Sequence, residues 1–426
     1  MKFTARTRTA LGAAVSVVAA VVTATAAPAV AAPSGPATHP PAAPVTAPVT
    51  ERVSVAPDGS QADGSSGDPA VNADGTVVAF VSDAANLVPG DTPGTRDVFV
   101  RDGADSPLLR VTDGAGSPSS PALSPAGDHL TYTTYDPAAA GSYALRVYDL
   151  RTGVTETLAP TLDDGYAASY GAAVISEDGR TVAFDARPTG ATPPAADDGS
   201  RVYALDRGTG TAERISHSPD STNGARGCTV GSISADGTKV AYQDAYTNGP
   251  RGDDWGDIHV HDRTTGGTTH ADATYDGTAA DKASTEPLLS ADGSTVVFNS
   301  YATDLVPGTD PNRGWNPFVR DLRTGTLTRV DGADPASVTA ATGISADGSK
   351  LLYSAYAAGV DGHWVRDLAG GGDTLATPGA DGSPRGAASS ALSADGATVA
   401  FAGYDDGAFV PGDTNGEQDV FVRRPH

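Results

Sequence analysis

Acidic and amide side chains alternate near the end of the chain, between residues 413 and 419. Asp413, Asn415 and Asp419 offer oxygen atoms at alternate positions there, and Gly416 provides the bend that calcium-binding loops need. The segment lacks the twelve-residue spacing and the terminal Glu of an EF-hand, and Asp and Asn are also ordinary loop residues. The pattern therefore indicates calcium as the candidate cofactor. The alternative is a plain structural loop.

A second group of residues has the chemistry of a recognition site. Two tryptophans lie in two successive long loops, where a large aromatic side chain is expected either to pack against the protein or to bind a ligand. Flat aromatic surfaces stack on sugar rings or bury peptide side chains, and neighbouring carboxylates fix the orientation of the ligand by hydrogen bonds. The predicted ligand-binding residues are Trp255, Trp315, Asp253, Asp254, Asn316 and Tyr301. In the alternative interpretation, both indoles pack onto their own sheets.

Patterns for catalysis are missing from the sequence. It has neither a His-Glu-x-x-His zinc motif nor a Gly-x-Ser-x-Gly nucleophile turn, and Cys228 is the single cysteine. His259 and His261 alternate along one predicted strand, which favours a structural or surface role for both. We therefore predict no catalytic residue. The alternative is a carbohydrate-active enzyme, a glycosidase or polysaccharide lyase, that uses acidic residues near a central channel.

These candidate residues belong to a sequence repeat. A turn of the type Ser-x-Asp-Gly recurs seven times, and its glycine is found at Gly75, Gly127, Gly179, Gly237, Gly293, Gly348 and Gly396. An Asp-Gly pair suits a tight turn, since glycine accepts a positive φ and aspartate bonds its own backbone. A period near 50 residues in strand-rich units is typical of the blades of a β-propeller.

Each repeat predicts four strands, A to D. Strand A precedes the Asp-Gly turn, and a β-branched and aromatic strand B follows it, as in residues 76–80. Strand C resembles residues 97–100, and strand D follows a second tight turn. The last repeat lacks strand D, and residues 51–55 form an orphan strand of that type. We predict an all-β fold, a seven-bladed β-propeller of four-stranded antiparallel blades, with the ring closed by the N-terminal strand.

The loops between strands B and C are the predicted site of function. They are long and differ from blade to blade, whereas the A–B and C–D turns are short and stereotyped. Four blades repeat a tyrosine three residues after the strand-B aromatic residue, at Tyr135, Tyr301, Tyr356 and Tyr404. We expect these tyrosines to pack between blades, with ligand binding as the alternative.

The motifs also resemble a known family. The Ser-x-Asp-Gly turns, the strand that begins Asp97-Val98-Phe99-Val100, and the phrase at residues 86–92 are similar to TolB-like propellers, the WD40-like family of PD40-type repeats. The resemblance covers residues 51–424 and implies the propeller fold. It implies no single function, because TolB itself adds an N-terminal α/β domain to six blades and binds partner proteins.

The beginning of the chain predicts export. Residues 1–31 combine a basic start, an apolar run and an Ala-x-Ala site, as a signal peptide does, and residues 32–50 form a linker rich in Pro and Ala. Residues 51–426 form the propeller. Removal of Lys2, Arg6 and Arg8 takes the net charge from −24 to −27. We expect a secreted monomer that binds a protein, peptide or glycan, binds no nucleic acid and inserts into no membrane.

Overall fold

A computed structural model of the protein describes residues 49–424 with internal gaps. The gaps are residues 92–93, 105, 113–115, 137–141, 163–166, 190–198, 217–224, 247–254, 333, 358–359 and 405–408. The predicted signal peptide and nearly all of the predicted linker lie outside the described residues. Within the described part, no helix has the length and apolar character to span a membrane.

The described residues form 28 strands in seven four-stranded antiparallel sheets, so the predicted fold is confirmed. Blades 1 to 3 consist of β2 (Ser66–Val71), β3 (Val77–Ser82), β4 (Asp97–Asp102) and β5 (Leu109–Arg110); β6 (Ser119–Leu123), β7 (His129–Asp136), β8 (Ser142–Asp149) and β9 (Val154–Leu158); and β10 (Ala167–Ile175), β11 (Thr181–Thr189), β12 (Arg201–Asp206) and β13 (Thr211–Arg214).

Blades 4 to 7 repeat the same order. They consist of β14 (Ala225–Ile233), β15 (Lys239–Tyr246), β16 (Trp255–Asp262) and β17 (Gly267–His270); β18 (Ser284–Leu289), β19 (Thr295–Ser300), β20 (Asn316–Asp321) and β21 (Leu327–Arg329); β22 (Val338–Ile344), β23 (Lys350–Ala357), β24 (Val360–Asp367) and β25 (Asp373–Leu375); and β26 (Ser389–Leu392), β27 (Val399–Tyr404), β28 (Gln418–Arg423) and β1 (Thr50–Arg52).

The N-terminal strand closes the ring, as the missing strand D of the last repeat predicts. Strand β1 pairs antiparallel with β28, and Arg52 lies opposite Phe421. The strand is shorter than the predicted 51–55, because the ladder ends at Arg52. The chain stays attached beyond that point, since the Val53 amide donates a hydrogen bond of 2.7 Å to the Val420 carbonyl.

The Ser-x-Asp-Gly motif builds the A–B turn through its side chains. In blade 4 the Ser234 hydroxyl donates to the Asp236 carboxylate at 2.6 Å and accepts the Lys239 amide at 2.9 Å. Gly237 adopts a φ of +70°, and a Cβ atom there would lie 2.8 Å from the Thr181 hydroxyl of the preceding blade. Glycine is therefore required both by the backbone conformation and by the close approach of the preceding blade.

Strand B supplies the core of every blade. Its aromatic residue is buried and lies opposite an aromatic or imidazole ring of strand C in six blades, with ring centroids 5.2–6.1 Å apart. The stacked pairs are Phe80–Phe99, Phe184–Tyr203, Tyr242–His259, Phe298–Phe318, Tyr353–Trp364 and Phe401–Phe421. Such cross-strand pairs hold each sheet together and bury its inner face.

Candidate functional site

The B–C loops and the D–A connections share one rim of the propeller, which we call the B–C rim. Every exposed tyrosine among the described residues lies on it, with exposed fractions of 39–65%. These residues are Tyr135, Tyr143, Tyr275, Tyr301, Tyr356 and Tyr404. The expectation that four of them pack between blades is therefore wrong, because each one lies within the last two positions of strand B or directly after it and is exposed to solvent. Three of them, Tyr301, Tyr356 and Tyr404, occupy the same position in successive blades.

Blade 5 brings two of the predicted binding residues together. Trp315 immediately precedes β20 and is half-buried, while Tyr301 follows β19 and is exposed. Their ring centroids are 4.2 Å apart, with an angle of 43° between the planes. The pair forms a tilted aromatic surface with one side open to solvent, which is a suitable support for a flat ligand ring.

The other predicted binding residues have different outcomes. Asn316 is fully buried, and its amide donates to Asp310 and accepts from Asn312, so it holds the loop together. Asp253 and Asp254 lie outside the described residues. Trp255 is the first residue of β16, and its side chain is outside the described part of the chain.

A repeated Val-Pro-Gly phrase, which follows a leucine in blades 1 and 5 and Phe409 in blade 7, fastens the B–C loops of these blades to strand D. The leucines of the first two copies, Leu87 and Leu305, are fully buried. An aspartate after the phrase pairs with an arginine of strand D in each blade. The pairs are Asp91–Arg110 at 2.9 Å, Asp310–Arg329 at 3.9 Å and Asp413–Arg52 at 2.6 Å. The recurrent strand-D arginine was the sequence signal for this contact.

The predicted calcium ligands surround that arginine in blade 7. The Arg52 guanidinium contacts Asp413 at 2.6 Å and Asp419 at 3.2 Å, and Asn415 donates to Asp419 at 3.2 Å. Ser54 donates a further hydrogen bond of 2.5 Å to Asp419. Burial raises the pKa of Asp419 even though Ser54 and Arg52 favour its charged form. The three residues do meet at one point, but a calcium ion would share that point with a guanidinium. These contacts favour the alternative, a plain structural loop, and calcium binding stays an untested prediction.

A group of side chains that the sequence motifs did not single out lies at the same rim of blade 4. Asp257, His270 and Asp272 place their ligand-type atoms within 4.8 Å of one another. The His259 ring stacks on His270, with centroids 5.2 Å apart. Hydrogen bonds first to Asp257 and then to Asp272 raise the pKa of His270 to about 10. One imidazole and two carboxylates form a mixed nitrogen and oxygen donor set.

The solved structures that resemble this chain include β-propeller domains. An oligogalacturonate lyase from Vibrio parahaemolyticus is 14% identical, with 89% of this chain and 97% of that chain covered and a TM-score of 0.57. The propeller domain of the trilobed protease from Pyrococcus furiosus is 12% identical, with 84% and 93% covered and a TM-score of 0.56.

TolB from Acinetobacter baumannii is also among the similar structures, at 16% identity and a TM-score of 0.41, with 72% of this chain and 62% of that chain covered. No family model and no curated protein sequence matches the chain. The molecule is a seven-bladed β-propeller. At these identities the likenesses establish the fold, and the function has to be argued from the site.

Proposed function

We propose that this protein is an exported binding propeller that recognises a glycan on its B–C rim. The observation that carries the proposal is the placement of all exposed, described tyrosines on that rim. A rigid scaffold that presents recognition groups at one end is the usual plan of binding propellers. Tyrosine is well suited to this task, because its ring stacks on the apolar face of a sugar while its hydroxyl remains available for hydrogen bonds.

The distribution of the rings favours a glycan over a protein partner. Protein partners dock on contiguous apolar patches, with aromatic anchors packed among aliphatic side chains. The exposed tyrosines at the ends of strand B come from separate blades, and two of them form separate aromatic pairs, Tyr301 with Trp315 and Tyr135 with Tyr143. Separate rings of this kind match the spaced residues of a carbohydrate chain.

Charge narrows the class of glycan. The whole chain carries a formal net charge of −24, and the B–C rim includes the exposed carboxylate of Asp83 and the half-buried carboxylate of Asp281. A polyanionic sugar would be repelled by this field, whereas a neutral or cationic one would not. We therefore propose a neutral or cationic glycan, and the similarity to an oligogalacturonate lyase does not transfer that substrate to this chain.

The enzyme alternative has less support among the described side chains. Burial raises the pKa of Asp185 to about 6, a value that suits a general acid. The Asp185 carboxylate is buried, however, and accepts hydrogen bonds from the amides of Ala172 at 3.2 Å and Val230 at 3.4 Å. It therefore serves the packing of blades 3 and 4.

Affinity electrophoresis through gels that contain soluble polysaccharides tests the proposal. We expect a neutral β-glucan or xylan, or cationic chitosan, to retard the protein, and polygalacturonate to leave it unretarded. The double variant Tyr301→Ala, Trp315→Ala should lose most of the retardation and keep its melting temperature. The matched control, Arg151→Ala with Arg323→Ala, alters exposed side chains on the opposite rim and should bind like the unchanged protein. If no glycan retards the protein and a basic peptide binds it instead, the ligand is a peptide and the glycan proposal is wrong.

A further inference from the structure

The group of Asp257, His270 and Asp272 differs from the equivalent positions of the other blades. The residue of strand D opposite the central strand-C ring is arginine in blades 1, 3, 5 and 7, at Arg110, Arg214, Arg329 and Arg52. In blade 4 this residue is His270, which lies opposite His259. A long guanidinium side chain is thus replaced by a shorter imidazole, whose Nε2 atom lies 2.9 Å from the Oδ1 atom of Asp272.

The residue two positions later differs as well. In blades 1, 3, 6 and 7 a hydroxyl oxygen accepts a strand-C amide at 2.9–3.0 Å, and these residues are Thr112, Ser216, Thr377 and Ser54. Blade 4 makes the same contact with a carboxylate, since the Ile258 amide donates to the Oδ1 atom of Asp272 at 2.9 Å. A neutral hydroxyl is sufficient for this hydrogen bond, so the charge of Asp272 serves another purpose.

The Asp272 carboxylate has an unused oxygen atom. Its side chain is fully buried, and Oδ2 has no hydrogen-bond partner among the described residues. A buried, charged oxygen without a partner is costly, and such groups are normally paired with a cation or a metal ion. The contact with the Nε2 atom of His270 is made by the other oxygen of the same carboxylate, Oδ1.

We propose that Asp257, His270 and Asp272 bind a divalent transition-metal ion of the zinc type. The Nε2 atom of His270 lies 2.9 Å from Asp272 Oδ1 and 3.9 Å from Asp257 Oδ1. Ligand atoms bound about 2.0 Å from a tetrahedral ion are about 3.3 Å apart, which falls between these two distances. An imidazole nitrogen with carboxylate oxygens selects zinc or a similar ion over calcium and magnesium, which prefer oxygen alone.

The surroundings of the site support an accessible ion. The side chains of His270 and Asp257 are partly exposed, at 37% and 27%, so an ion has an entry path from solvent. Water molecules complete the coordination, as at zinc sites with three protein ligands. The stacked His259 ring limits rotation of His270 and orients its nitrogen toward the carboxylates. This inference does not depend on the proposed glycan function.

Zinc titration by calorimetry, with the full chain and two variants, tests the site. We expect one zinc ion per chain to bind here, and His270→Arg and Asp272→Asn each to weaken binding by more than about tenfold, since loss of a mere supporting residue already costs 10- to 100-fold. Asp272→Asn keeps an oxygen for the Ile258 amide. His270→Arg introduces the residue that four other blades have at this position, so this variant should fold even if Asp272→Asn does not.

Asp83→Asn serves as the matched control, because Asp83 is an exposed aspartate of the same rim, and Arg96 is the one side chain among the described residues that pairs with its carboxylate. It should bind zinc like the unchanged chain. Failure of the unchanged chain to bind zinc at micromolar concentrations would overturn the proposal. Equal zinc affinity in His270→Arg and the unchanged chain would overturn it too, and would leave the three residues as an internal ion pair.

Discussion

Asp185 shows how a single side chain joins two blades. Its carboxylate accepts the amide of Ala172 in its own blade and that of Val230 in the next blade, at places where strand A departs from regular pairing. Blade 5 places Asn299 at the same position, and its amide bonds both the amide and the carbonyl of Ala341 in the following blade. Equivalent contacts between adjacent blades are therefore made by a carboxylic acid in one case and by a neutral amide in the other.

This comparison predicts a pH-dependent effect of Asp185→Asn. Burial raises the folded-state pKa of Asp185 from 3.8 to about 6. The folded protein holds the proton more tightly than the unfolded chain does, so this group lowers the free energy of unfolding as the pH rises from about 4 to 6. The loss amounts to roughly 2–3 kcal/mol, and Asn, which stays neutral, removes it.

Denaturant unfolding at pH 4 and at pH 7 measures the effect. The variant should match the original protein at pH 4 and exceed its stability at pH 7, since the difference between the two proteins cancels all other titrating groups. Equal stability differences at both pH values would show that folding does not raise the pKa of Asp185.

Arg52 determines what to expect of the predicted calcium loop. Its guanidinium and the carboxylates of Asp413 and Asp419 are nearly fully buried, so a cation already contacts both carboxylates of the loop without a metal ion. Blades 1 and 5 fasten their loops by the same type of pair. We expect a melting temperature that does not change with chelator or with added calcium. A melting temperature that falls with chelator, recovers with calcium, and does neither in Asp413→Ala would instead support a bound ion.

Strand β1 closes the ring of blades, because it pairs with β28 of the last repeat. It adds the fourth strand to blade 7 and carries Arg52, which connects it to the B–C loop of that blade. A chain that starts at residue 56 loses this strand and exposes the edge of β28. A chain that starts at residue 49 keeps the strand and its Arg52. Removal of one partner of a buried ion pair alone costs about 3–5 kcal/mol.

We therefore expect the shorter chain to melt at least several degrees lower than the longer one, or to aggregate. Differential scanning calorimetry of the two truncated proteins and the full chain makes the comparison. Residues 1–48 should contribute little, so the chain from residue 49 is the control. Equal melting temperatures for all three would mean that β1 does not hold the ring closed.

The strands themselves followed from the sequence, but the irregularities within strand A did not. Asp68, Ser120 and Glu286 have positive φ angles at register shifts in the first strands of blades 1, 2 and 5. Each precedes a proline, which has no amide to offer to the ladder at that point. A proline inside a predicted strand A was the available signal. Its effect depends on the neighbouring blade, which a local pattern does not include.

For the whole molecule, the repeat sufficed to predict blade number, strand order and ring closure, because the Gly-to-Gly period and the missing last strand are both visible in the sequence. Side-chain partners across blades were not predictable in this way. The contact of Asp413 with Arg52 joins residues at opposite ends of the chain. The exposure of the four recurrent tyrosines likewise depends on where strand B stops at the rim.

One comparison of affinities tests whether the protein recognises its glycan on the B–C rim. The triple variant Tyr301→Ala, Tyr356→Ala, Tyr404→Ala removes the exposed ring from three successive blades. The control variant, Arg151→Ala with Arg323→Ala, changes the opposite rim. Both are titrated by calorimetry with an oligosaccharide of whichever glycan retards the protein in gels. We expect the triple variant to lose more than about 1 kcal/mol of binding free energy for each ring that contacts the sugar, and the control to keep its affinity. Unchanged affinity in the triple variant, or a loss confined to the control, would contradict the claim.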